Sequence, residues 1–211
     1  MEHPSPALEL AAQAARLVVE SGLEYGPAKA KAARALGRRG GSRTEMPSHE
    51  QVEDAVREYL ALYAEDTQPQ ELAALRAVAV AWMERLSALR PHLAGAVWRG
   101  TATRLSSVLV ELYCDDPKAA ELALMDLGVR YEVDTLDAGG PRARDVLTVS
   151  SPCPTLGERV TVHLRVHDYD ELRGALKPDA QGRSWRGDLP ALRRLLAPVE
   201  PPARPEEGRP A

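Results

Sequence analysis

The amino-acid sequence predicts an α+β protein, a helical segment followed by a mixed sheet with flanking helices. Three observations carry that expectation. Apolar residues recur with the helical period through the first ninety positions. After Pro91 the period shortens to that of strands, in five runs separated by turn residues. With no Phe, three Trp and six Tyr, the core has to be built from Leu, Val and Ala, which suits closely packed helices. The 211 residues are 44% hydrophobic and 27% charged, which fits a folded chain of one large or two small domains and argues against a fibre.

In the helical part, Leu10, Ala14, Leu17 and Val18 share one face of a helix that ends near Ser21-Gly22. Gly26-Pro27 opens a short Ala-rich helix that ends at Leu36-Gly37, and RRGGSRTEMP is a loop. Ser48 and Gln51 have the spacing of a capping box, with Val52, Val56, Tyr59, Leu60 and Tyr63 forming the face behind it. Thr67 can cap a fourth helix from about Pro69 to Arg90. Its AVAVAWM stretch is apolar nearly all round, which predicts the buried centre of the helical part.

The strand-like runs are His92 to Trp98, Ser107 to Cys114, Arg130 to Leu136, Asp145 to Ser150 and Arg159 to His167. Asp115 or Asp116 caps a helix, PKAAELALMDLG, between the second and third, and Gly128 ends it. The loops DAGGPR and SPCPTLGE are short enough to make the third, fourth and fifth runs antiparallel neighbours. A short helix DYDELRGAL, a Gly-rich arm KPDAQGRSWRGD and a last helix DLPALRRLLA follow. The charged, Pro-rich stretch from Pro198 predicts a disordered tail. The chain thus divides into segments 1–90, 91–197 and 198–211.

Composition also narrows the function. No run approaches the roughly eighteen apolar residues of a membrane span, and MEHPSPALELAAQAARL lacks the basic and apolar regions of a secretory signal. A cytoplasmic location without membrane contact is the expectation. Arg outnumbers Lys 23 to 4 in an Ala-rich chain, which reads as the output of a high-GC bacterial genome before it reads as function. Cys114 and Cys153 lack C-x-x-C spacing and are expected to be reduced, and Asp115 beside Cys114 disfavours a thiolate. There is no Walker loop, no G-x-G-x-x-G and no G-x-S-x-G around any serine.

Positions 92–112 read HLAGAVWRGTATRLSSVLVEL: a strand ending in glycine, a short turn with Arg-Gly, and a second strand seven residues on. This resembles the nucleotidyltransferase superfamily, which includes the minimal nucleotidyltransferases and the DNA polymerase β type. Its signature is a strand ending in Gly-Ser, then Arg-Gly, then Ser-Asp-hydrophobic-Asp. The resemblance puts the glycine on Gly95, the first serine on Ala96, the Arg-Gly on Arg99 and Gly100, and the second serine on Ser106. The two metal-binding aspartates fall on Ser107 and Leu109. Two-metal chemistry requires carboxylates for Mg²⁺, and neither residue supplies one, so no metal and no cofactor is expected. Glu111 shares their face of the strand and is a weak candidate for a single carboxylate, but about 7 Å further along it does not replace a pair. The Gly-Ala turn can still hold a phosphate through backbone N–H groups.

In RVTVHLRVH, Thr161, His163, Arg165 and His167 alternate with Val160, Val162, Leu164 and Val166, so one strand face is polar and cationic. His163 and His167 lie about 13 Å apart on a strand, too far for one metal, but with Arg165 they offer a surface for an anion. Arg183, Trp185 and Arg186 in the arm are positioned to close over it. Lys29, Lys31, Arg34, Arg38, Arg39 and Arg43 form a basic stretch without acids or aromatics, either a solvated helix face or a track for nucleic-acid phosphates. Together these features predict a catalytically degenerate nucleotidyltransferase-like protein that binds a nucleotide or a macromolecular partner. Two alternatives stand beside it: a nucleic-acid binder using residues 29–43, and an active transferase with a rearranged metal site.

Overall fold

Helix starts and stops follow the local sequence closely. In the computed structural model, which describes residues 5–37, 46–136, 144–178 and 182–197, helix α1 (Pro6–Ser21) is capped by the Ser5 hydroxyl, which accepts from the Leu8 amide. It stops at Gly22, whose φ of 65° suits glycine. Any side chain there would also collide with the Leu105 carbonyl, 2.8 Å from a Cβ, so Gly22 lets α1 dock against the chain leading into the sheet. Helix α2 (Tyr25–Ala35) follows with Pro in its first turn. The capping box at Ser48 and Gln51 is present in both directions at the start of α3 (His49–Tyr63). Leu10, Ala11, Ala14, Ala15 and Val18 pack against Ala28, Ala32, Val52, Val56 and Leu60. Tyr63 is exposed rather than part of the buried face.

Helix α4 (Gln68–Arg85) corrects the expectation that it fills the helical part. It ends five residues before Arg90, with a 3-10 turn at Ser87–Leu89. Its buried residues Leu75, Ala79, Trp82 and Met83 belong to the core of the sheet, with Leu93, Val108, Val110, Leu147, Leu164 and Leu192. Trp82 Nε1 donates to the Ser151 hydroxyl at 3.0 Å, so the one polar atom of the indole is satisfied inside that core. An apolar period reports that a helix is buried, not which neighbour covers it.

The sheet contains β1 (His92–Ala94), β2 (Val108–Cys114), β3 (Glu132–Leu136), β4 (Arg144–Cys153), β5 (Glu158–Asp168) and β6 (Arg186–Gly187), in the order β3-β4-β5-β2-β1-β6. All neighbours are antiparallel except β2 and β5, which run parallel from Val108↔Val162 to Cys114↔Asp168. This is an α+β fold with an N-terminal helical segment and a mixed sheet. Helices α5 (Gly95–Arg99), α6 (Ala119–Asp126), α7 (Leu172–Ala175) and α8 (Leu189–Leu196) complete the order.

Three local expectations change. The run from His92 to Trp98 is strand only to Ala94; Gly95 adopts φ 68° and turns the chain into α5. The arm contributes β6, which pairs with β1 through Leu93↔Gly187. Helix α6 takes Lys118 as its N-cap, and the Asp116 carboxylate, two residues before it, accepts from the Lys118 amide. The DAGGPR loop, part of the arm and the tail lie outside the described residues.

Alternation gives the sheet two different faces. Val160, Val162, Leu164 and Val166 enter the core, as do Val108, Val110 and Leu112. Leu109, Glu111 and Tyr113 share the opposite face with His163, Arg165 and His167, their register partners on β5. Both cysteines are free and buried. Among the described residues no helix is long and apolar enough to cross a membrane.

Candidate functional site

A cleft of about 260 Å³ opens where the turn between α1 and α2 meets the turn between β1 and β2. Gly95, Ala96, Arg99, Ser106, Ser107 and Leu109 form one side of it; Gly22, Glu24, Tyr25 and His49 come from the helical segment, and Trp185 from the arm. The β1–β2 register opposes Ala94 to Leu109, which places Gly95 beside the Leu109 side chain. Ser106 Oγ accepts from the Thr103 amide at 3.0 Å and fixes the entry into β2. Tyr25 Oη and Thr101 Oγ1 are 3.4 Å apart across the two parts of the chain, and burial pushes the Tyr25 phenol up. Burial, reinforced by Lys29 and Arg99, lowers the His49 imidazole from its ordinary value.

Five of the eight ligand positions expected from the sequence therefore meet in one place. Gly100 does not: it ends α5 at φ 82° and faces Arg76 and Leu72. His163 and Arg165 continue along the same sheet face, next to Leu109 and Glu111 in register, without lining the cleft. Arg99 is engaged on two sides. Its guanidinium pairs with Glu53, a buried carboxylate of α3, and lies over the Trp185 ring at 3.7 Å. Arg57 completes the cluster by donating to Glu53 at 2.8 Å and to the Arg99 carbonyl at 2.7 Å. Arg99 thus ties three elements together and forms a wall of the cleft.

No protein-family model matches the chain, and no curated protein matches its sequence. The chemistry must be read from the residues.

Glu111, the weak candidate carboxylate on β2, is already satisfied. Its Oε2 accepts from Arg186 Nη1 at 2.5 Å and from Tyr113 Oη at 2.9 Å, while Arg165 and His167 lie 3.9 and 3.8 Å from Oε1. A buried carboxylate flanked by cations is a poor ligand for a second, divalent cation. With Ser107 and Leu109 at the other two positions, this donor set does not fit Mg²⁺. Among the described residues no three His, Cys, Asp or Glu side chains stand together as a metal site. Arg186, expected to close over a ligand, is instead held by Glu111 and Tyr113.

The two histidines of β5 have separate partners. Thr148 Oγ1 and His163 Nδ1 are 3.0 Å apart, and burial holds His163 below its ordinary value despite the opposing charge of Glu24. His167 stacks on Tyr113 with ring centroids 5.1 Å apart and approaches Glu171 at 3.4 Å. In the basic stretch, Lys29 donates to the Pro47 carbonyl and Arg34 to the Ala30 carbonyl; Lys31 is exposed. Arg38, Arg39 and Arg43 lie outside the described residues.

Sequence reasoning did not find Glu24, Tyr25, His49 or Glu53. The only signal for Glu53 is an acid beside the apolar stripe of α3 with Arg57 one turn on, a pattern that most helices carry on a solvated face.

Proposed function

We propose that this chain is a catalytically degenerate nucleotidyltransferase-like protein that binds a nucleotide without a divalent cation. The observation that carries this reading is the convergence of Gly95, Ala96, Arg99, Ser106, Ser107 and Leu109 on one cleft whose facing wall includes two aromatic residues, Tyr25 and Trp185. Aromatic walls suit a nucleobase, which every nucleotide presents as a flat π-face. The serine hydroxyls and the glycine-containing turn suit its polar end. Among the described residues, Glu24 is the single carboxylate that lines the cleft, and it lies on the helical segment, away from β2. Group transfer by the two-metal route has no ligands here, so the retained role is recognition. The reading puts the protein in a bacterial cytoplasm, where nucleotides are abundant.

Calorimetric titration of ATP and GTP, once with Mg²⁺ and once with EDTA, tests it. The two affinities should agree within about threefold, and Leu109→Trp, which fills the cleft, should weaken both at least tenfold, about 1.4 kcal/mol. Absence of binding by any nucleotide, or binding only with Mg²⁺, overturns the reading.

A further inference from the structure

The two sides of the cleft are chemically unlike. On the β1–β2 side stand Ser106, Ser107 and the turn that opens at Gly95; on the helical side stand Glu24, Tyr25 and His49. A carboxylate repels phosphate, so the serine side suits the phosphates of a nucleotide and leaves its base beside Glu24. Tyr25 is fixed there as a platform. Its hydroxyl is 3.4 Å from Thr101 Oγ1, and His49 meets its ring edge-on with centroids 5.9 Å apart. Glu24 directly precedes Tyr25 in the chain and lines the same cleft. It occupies the N-cap of α2, where a side-chain oxygen ordinarily accepts from the first turn, yet its side chain makes no capping bond. Among the described residues no group donates to it, although His163 feels its charge.

An ionised carboxylate can only accept, through two oxygens side by side. Of the common bases, guanine alone presents two adjacent N–H donors, N1–H and N2–H. On adenine the amino group sits beside the N1 lone pair, which a carboxylate repels. We infer that the cleft selects guanine nucleotides, Glu24 accepting from N1–H and N2–H while the base lies on Tyr25. This selectivity rests on the nucleotide reading and names its substrate class.

Titration of GTP, ATP and ITP, the last lacking the 2-amino group, into the full chain is the test. GTP should bind at least tenfold more tightly than ATP, with ITP between them. Glu24→Gln should erase that difference and favour XTP over GTP, because an amide can donate to the 2-oxo group of xanthine where a carboxylate can only accept. Glu24 is exposed, so the substitution should leave the fold intact, with circular dichroism as the check. GTP and ATP bound equally by the parent, or Glu24→Gln changing both by the same factor, overturns the selectivity and leaves nucleotide binding standing. Binding of no nucleotide at all overturns both.

Discussion

Tyr113 and Glu111 are buried on the polar face of the sheet, and their chemistry is coupled. Burial first, and the negative charge of Glu111 second, push the Tyr113 phenol up to about 12, against the pull of Arg186. The edge of His92 and the stacked ring of His167 enclose it. A phenol whose folded value lies above its unfolded value near 10 stabilises the fold fully below pH 10. That contribution is lost as pH rises from 10 toward 12. Urea unfolding followed across this range, with phenolate absorbance as the reporter, should show a flat plateau and then a decline. Glu111→Gln should let the phenol titrate lower. It should also cost about 3 kcal/mol at neutral pH, because Arg186 and Arg165 lose their buried partner. A variant as stable as the parent would mean that the pair contributes nothing net.

The arm that carries β6 is held by several dissimilar contacts. Trp98 Nε1 donates to the Ser184 carbonyl at 2.9 Å, Arg186 reaches Glu111 across the sheet, and Gly187 lies directly under the Trp98 ring. A Cβ on Gly187 would fall inside that ring, so Gly187→Ala must move either the indole or the strand. The expected cost is about 1–3 kcal/mol, with a shift in tryptophan emission. Gly174→Ala in α7, where nothing lies within reach of a Cβ, is the control and should be neutral or slightly stabilising. Equal urea midpoints for the two variants would show that the arm is not docked through Gly187. Helix α4 clasps the other side of this region: Arg76 donates to the Val97 and Trp98 carbonyls, and Gln68 to those of Gly100 and Ala102. These bonds satisfy the C-terminal end of α5 and the chain behind it.

The described residues form two apolar cores, not one. The first joins α1, α2 and α3 and is rich in alanine; the second joins α4, the sheet, α6 and α8. The contacts that connect them include Tyr25 with Thr101, Arg57 with the Arg99 carbonyl, and Arg99 with Glu53. Small side chains bury less area per residue, at about 25 cal/mol per Å². Native-state hydrogen exchange should therefore find α1–α3 opening at a lower free energy than α4, β2 and β5. It would put the cooperative boundary near Ala64–Thr67 instead of Pro91. A single opening free energy for all helices would argue for one unit.

The elements were readable where their causes are local. Ser48 with Gln51, Gly22, and the alternating valines of β5 each act within a few residues of themselves, and the structure reproduces them. The strip from Gly95 to Leu109 was readable for the same reason, as one continuous stretch of chain. The partners were not. Glu53 with Arg99, and Glu111 with Arg186 75 positions away, meet because of strand register and helix docking. Likewise, periodicity marks α4 as buried, but the choice between two cores depends on complementary surfaces that no local pattern encodes. The facing wall of the cleft, and the pairing of Glu111 with Arg186 and Tyr113, both belong to that second kind of information.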